Sequence, residues 1–179
     1  MRATIIMAFA AVAACSGGTE EKAAEPVAPA ASIDAGLWEV THEIGAITAT
    51  DHAPATAIKA KTGDKASSQV CVGEANRTKP DPALFAGEGY ECSYRDSYIR
   101  NGRLNASLTC TSEDLKGEIM MVIDGKYGAD SFDGSVSSTS YLPGDGDYRM
   151  TSKIAGRHVG ACPAEPAGND AAPDATEGE

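Results

Sequence analysis

Between Cys92 and Cys110 the chain alternates apolar and polar residues on both sides of Asn101-Gly102, a pattern that an antiparallel β-hairpin satisfies on both of its arms. A three-residue loop Arg100-Asn101-Gly102, with Gly102 supplying the positive φ of a bulge, sets Ile99 opposite Arg103, so that paired positions sum to 202. In that register Tyr94 faces Leu108, Asp96 faces Ala106 and Tyr98 faces Leu104. The other face, Ser93, Arg95, Ser97, Arg103, Asn105, Ser107 and Thr109, is polar throughout. A two-residue Asn-Gly turn would slip the pairing by one and set Tyr94 against Thr109, mixing the faces, so the hydrophobic pattern selects the longer loop. The same register places Cys92 opposite Cys110 as a non-hydrogen-bonded pair, where Cα atoms approach to ~4.5 Å, a separation that a disulfide tolerates.

Short alternating runs rich in β-branched and aromatic residues recur through the middle of the chain, punctuated by Gly and Asp. They predict strands at Gly36–Ile44, Ser68–Gly73, Gly89–Ile99, Arg103–Cys110, Gly117–Tyr127, Ser131–Tyr141 and Asp147–Gly156. The expected fold is all-β: an antiparallel meander of about seven strands, either lying open or curled into a partly open barrel, with two disulfides. Ala46–Lys65 fits no template and reads as a long loop, with a weak strand signal at Thr56–Lys59. Pro80–Phe85 reads as one helical turn with Asp81 beside its start.

The ends differ from this middle. Arg2 is followed by an apolar run from Ala3 to Ala14 and then by Cys15. About a dozen residues at ~1.5 Å each reach roughly 18 Å, short of the ~30 Å hydrocarbon core, so the run reads as a signal peptide (1–14) rather than a membrane span. Val12-Ala13-Ala14-Cys15 resembles the lipobox of bacterial lipoproteins, which makes Cys15 the expected lipidation site. Two or more acyl chains carried by Cys15 would make that anchor stable. Ser16 in the next position, by resemblance to sorted lipoproteins, points to the periplasmic face of the outer membrane. Residues 15–34 are Ala, Pro, Glu and Gly-rich and read as a tether, whose stretch from Ser16 to Ser32 can extend roughly 50 Å at ~3.1 Å per residue. Residues 163–179 read as a disordered acidic tail, which leaves 35–162 as the folded domain. With Cys15 committed to lipid and Cys92 to Cys110, Cys71 and Cys162 remain to pair with each other; four cysteines allow three connectivities, and a disulfide map separates them.

The first 35 residues carry a charge of −2 and the tail from Pro163 carries −5, leaving −4 of the formal −11 to the middle. Nucleic acid is therefore not an expected partner. His42, His52 and His158 have no Cys, His or carboxylate at a metal-ligand spacing, and no metal or cofactor is expected. His42 is assigned to the polar side of the first strand, and His158 to a satisfied, half-buried position. Asp124, Asp130, Asp133, Asp145 and Asp147 lack the spacing of a calcium loop and read as turn residues, with Asp145-Gly146 a two-residue turn. Arg149, Lys153 and Arg157 share one face of the last strand, either as a basic stripe or as a solvated face balanced by carboxylates. Trp38 is expected in the core, and the serines of Ser135–Ser140 on the polar side of a strand. No Gly-x-Ser-x-Gly elbow or other catalytic constellation is present, so no enzyme activity is expected.

Set out in order, several motifs resemble the bacterial envelope family known as domain of unknown function 3617. They are Gly36-Leu37-Trp38-Glu39-Val40-Thr41, Gln69-Val70-Cys71, the flanking Cys92 and Cys110, Lys116-Gly117-Glu118, Asp130-Ser131-Phe132-Asp133-Gly134, and the closing run from Lys153 to Cys162. The resemblance implies a location and a fold class but no activity. Two functions remain on this reading: a lipoprotein whose β domain binds or braces another envelope component, or a carrier of a small apolar ligand in a barrel-like cavity. The first predicts a filled core with an exposed patch, the second a cavity.

Overall fold

A computed structural model describes residues 32–51, 58–144 and 146–164. Seven strands, β1 (Gly36–Ala49), β2 (Lys65–Val72), β3 (Glu91–Arg100), β4 (Arg103–Ser112), β5 (Leu115–Tyr127), β6 (Ser131–Tyr141) and β7 (Tyr148–Gly160), form one antiparallel sheet in the order β2-β1-β7-β6-β5-β4-β3. The sheet curls into a half-barrel. From β3 to β7 it is a meander, as the alternating sequence leads one to expect. The β1–β2 hairpin then joins along β7, which leaves β2 and β3 as the two edges.

Alternation decides which side chains line the concave face. Trp38 and Val40 on β1, Leu104, Ala106, Leu108 and Cys110 on β4, and Ile119, Met121 and Ile123 on β5 are all buried, while their sequence neighbours point outward or lie part-exposed. At ~25 cal/mol per Å² of apolar surface, this one-sided burial is the main source of stability. Residues Ile33 and Asp34, assigned above to the tether, belong to the folded unit. Ile33 is buried, its N–H donates to the Arg77 carbonyl, and the Trp38 indole donates to the Asp34 carbonyl at 2.9 Å.

The hairpin register differs from the expected one near its turn. Arg100 pairs with Arg103 and Ile99 with Leu104, so the turn is the two-residue Asn101-Gly102, both residues at positive φ (54° and 72°). That is the geometry Asn-Gly favours, because two left-handed residues match the twist of the flanking strands. The pairing then shifts between Tyr94 and Asp96. This bulge absorbs one residue at Arg95 and restores Tyr94 opposite Leu108 and Cys92 opposite Cys110. The faces are thereby kept by a bulge in the strand rather than by a longer loop. Ser97 and Ile99 point inward in place of Asp96 and Tyr98, and Tyr98 is exposed.

Other limits also move. β1 passes Ile44 and continues to Ala49 through a second bulge, where Gly45 is left out of the pairing with β7. Ile58 and Lys59 are not in a strand, and Thr56 lies outside the described residues. The β6–β7 connection is not a two-residue turn. It spans residues 142–147 and is organised by Asp147, whose carboxylate accepts from the Leu142 N–H at 2.6 Å and the Ser140 hydroxyl at 3.2 Å; Asp145 lies outside the described residues. Asp124 and Asp133 sit inside β5 and β6 rather than in turns, exposed on the convex side, while Asp130 does lie between those strands.

Disulfides join Cys92 to Cys110 (Cα separation 4.1 Å) and Cys71 to Cys162 (5.5 Å). The second ties the end of β2 to the chain just past β7, across β1, and so fastens the hairpin that the meander does not include.

Candidate functional site

Because β2 and β3 are opposite edges of the sheet, the segment between them, residues 73–90, must cross the open side of the half-barrel. It does so as a strap containing a 3-10 turn (Glu74–Asn76) and a single-turn helix, α1 (Ala83–Ala86). The Asp81 carboxylate accepts from the Ala83 N–H at 2.9 Å and starts the helix. Gly87, at φ 82°, ends it, a conformation that a side chain would strain. The strap is fastened to the β3 side by the Tyr94 hydroxyl, which donates to the Pro80 carbonyl at 2.8 Å. Burial, followed by the negative charge of Asp81, raises the Tyr94 hydroxyl above its ordinary pKa and keeps it a donor.

Leu84 and Phe85 of the strap drop into one half of the concavity and fill it. Phe85 meets Phe132 edge-on at 5.5 Å, and Phe132 stacks on Trp38 at 5.7 Å. Gly156, opposite Phe132 on β7, leaves the space that this ring occupies. Trp38 is thus in the core, and His158 meets its edge while its Nε2 lies 3.1 Å from the Ala35 carbonyl oxygen.

The other half of the concavity is open. Beyond α1 lies a cavity of about 450 Å³ whose apolar lining includes Ile44, Met121, Val136 and Met150. Ser138 and Ser152, buried at 2 % and 7 % exposure, lie among them. Three residues expected on polar faces are therefore found inside. Ser138 and Ser140 share the parity of Phe132 and Val136 and point into the concavity, while Ser135 and Ser137 point away. His42 shares the parity of Trp38 and Val40 and lines the cavity, its ring against Gly87: a methyl placed on Gly87 would stand 3.5 Å from Nε2.

Among the described residues three buried side-chain polar atoms have no hydrogen-bond partner: His42 Nε2 and Ser68 Oγ in the cavity wall, and the Tyr148 hydroxyl. Tyr148 is close enough to Tyr90 for each to act on the other's ionisation, but the geometry falls short of a formed hydrogen bond. Both hydroxyls are held above the usual tyrosine pKa, chiefly by burial. Burial lowers the His42 pKa below 6.5, so the ring is neutral at neutral pH. An unsatisfied buried polar group costs about 1–3 kcal/mol, and two in one cavity wall call for an explanation.

The remaining expected positions carry less. Arg157 donates to Glu39 through Nε at 2.7 Å and Lys153 stands opposite Glu43, which also pairs with Lys65, so carboxylates of β1 balance these two, while Arg149 lies between Thr48 and Thr139. Cys15 and His52 lie outside the described residues. Among the described residues no three His, Cys, Asp or Glu side chains come together in a way that could hold a metal ion.

No curated protein and no solved structure matches the chain. Residues 33–162, which contain all seven strands, the strap and the four disulfide cysteines, match the model of the family described as protein of unknown function DUF3617. That match covers most of the chain, and the protein belongs to the DUF3617 family.

Proposed function

We propose that this protein is a lipid-anchored carrier of the bacterial envelope, held to the outer membrane through Cys15 and its tether, with a small, largely apolar molecule bound in the half-barrel. The observation that carries the reading is the cavity of about 450 Å³ behind the strap. It lies within the ~300–1,000 Å³ range of small-ligand pockets, and like them it combines an apolar lining with a few polar groups.

The bracing role, the first of the two functions read from the sequence, calls for a contiguous exposed apolar patch. Among the described residues the large exposed hydrophobics lie on four different strands instead: Tyr98 is opposite Asn105, Val122 lies between Ser107 and Ser137, Tyr141 is opposite Glu118, and Val159 is near the end of β7. A carrier also fits better than a hydrolase. His42 Nε2 and Ser68 Oγ line the same cavity, yet neither has a hydrogen-bond partner, so the serine lacks the base contact that would activate it.

Native mass spectrometry of the protein purified from its own membranes tests the proposal. The expected spectrum shows one non-covalent, lipid-sized adduct per chain that is lost on unfolding. A spectrum of the chain alone, together with no uptake of an added apolar dye, overturns it.

A further inference from the structure

The carrier reading leaves open which molecules fit, and the two unpartnered atoms narrow the choice. We propose that the cavity binds single-chain amphiphiles with an uncharged head that both donates and accepts hydrogen bonds, as a primary amide does, seated on His42 and Ser68. This inference rests on the carrier reading and adds the head group to it.

The placement of the two residues carries the argument. Val40 pairs with Ser68 and His42 with Ala66, so His42 and Ser68 are diagonal neighbours on the concave face of two adjacent strands. Such positions lie ~7–8 Å apart at Cα, closer at the side chains. Ser68 is buried to 9 % exposure, and its hydroxyl can donate or accept. A neutral imidazole offers one donor and one acceptor nitrogen. A head with a carbonyl oxygen and an N–H on neighbouring atoms can satisfy both residues at once. The tail would then run among Met121, Val136 and Met150, whose unbranched methionines adapt to chains of differing shape.

Charge argues against ionic heads. Among the described residues, the ionisable groups lining the cavity besides His42 are Asp64, Lys65, Glu88 and Tyr90. The first three are exposed, and Tyr90 is neutral, so a carboxylate or quaternary ammonium placed at Ser68 would be buried without a counter-ion.

Displacement of a bound apolar dye from the purified protein tests this with four ligands of one chain length: decanamide, chlorodecane, decanoate and decyltrimethylammonium. Decanamide is expected to bind one per chain and at least about tenfold more tightly than the two ionic ligands. Ser68→Ala and His42→Leu should each weaken decanamide about fivefold to tenfold, the loss of one neutral hydrogen bond, and leave chlorodecane within about twofold. The unchanged chlorodecane affinity shows that the pocket of each variant is intact. Equal binding of decanamide and chlorodecane, or a preference for decanoate, overturns the head-group inference while the carrier reading stands. Binding of none of the four overturns both.

Discussion

Replacing Gly156 by alanine tests how the curl of the sheet is packed. A Cβ built on Gly156 would lie 2.1 Å from Cε1 and 2.3 Å from Cζ of Phe132. That ring cannot retreat freely, since it stacks on Trp38 on one side and meets Phe85 on the other. Overpacking of this kind costs about 1–3 kcal/mol. Removing a glycine from a strand returns about 0.5–1 kcal/mol by restricting the unfolded chain. The net expectation is a loss of about 1–2 kcal/mol. For a domain of this size that lowers the melting temperature by about 4–8 °C. Gly73 is the matched control: it has a negative φ (−73°), and nothing lies within 4 Å of an added Cβ. Gly73→Ala should therefore be neutral or stabilise by about 0.4–1 kcal/mol. The assay is denaturant unfolding followed by fluorescence of Trp38, the sole tryptophan, which is fully buried. Trimming the ring in Phe132→Leu should make the second substitution less costly, with a coupling of about 1 kcal/mol in the double variant. If Gly156→Ala proves as stable as Gly73→Ala, the close packing of ring on glycine is not a constraint on the fold.

Further outcomes follow from the disulfides, the buried histidine and the proposed anchor. Removing the Cys71–Cys162 bridge, which closes a loop with a sequence separation of 91, should cost about 4–5 kcal/mol in the chain-entropy model, measured by unfolding of the double alanine variant; a loss below about 1 kcal/mol would mean that β1 and β2 need no such fastening. Because the folded pKa of His42 lies below its unfolded value of 6.5, the unfolded chain binds more protons as the pH falls. The stability that His42 contributes is therefore complete above about pH 7.5 and declines as the pH drops through 6.5 towards the lowered folded value, and the slope should be shallower in His42→Gln. Identical slopes in thermal melts of the two proteins between about pH 8 and pH 5 would remove His42 from the account. Metabolic labelling with a fatty acid should mark the wild-type protein and not Cys15→Ser; equal labelling would place the lipid elsewhere.

Much of the fold was legible in the sequence because alternation is a local signal. The seven strands fall where apolar and β-branched residues alternate, and Asp81, which accepts from the Ala83 N–H, marks the start of the strap helix. Longer-range features were not legible in that way. The bulge at Arg95 lets Asn101-Gly102 form its preferred turn while Tyr94 keeps its partner, a compromise between turn and faces that neither pattern displays alone. The placement of β1 beside β7 depends on contacts between the two ends of the domain. The polar lining of the cavity was missed for a different reason. His42 and Ser138 were assigned by polarity to the outer face, although the parity of Trp38, Val40, Phe132 and Val136 puts both inside. Parity was the available signal, and polarity misleads wherever polar groups lie on an inner face.

A crystal structure of the protein purified from its own membranes would test the central claim most directly. The account predicts continuous elongated density between Met121, Val136 and Met150, with one end within hydrogen-bonding distance of His42 Nε2 and Ser68 Oγ. A cavity holding only ordered water, with both atoms bonded to it, would contradict that claim.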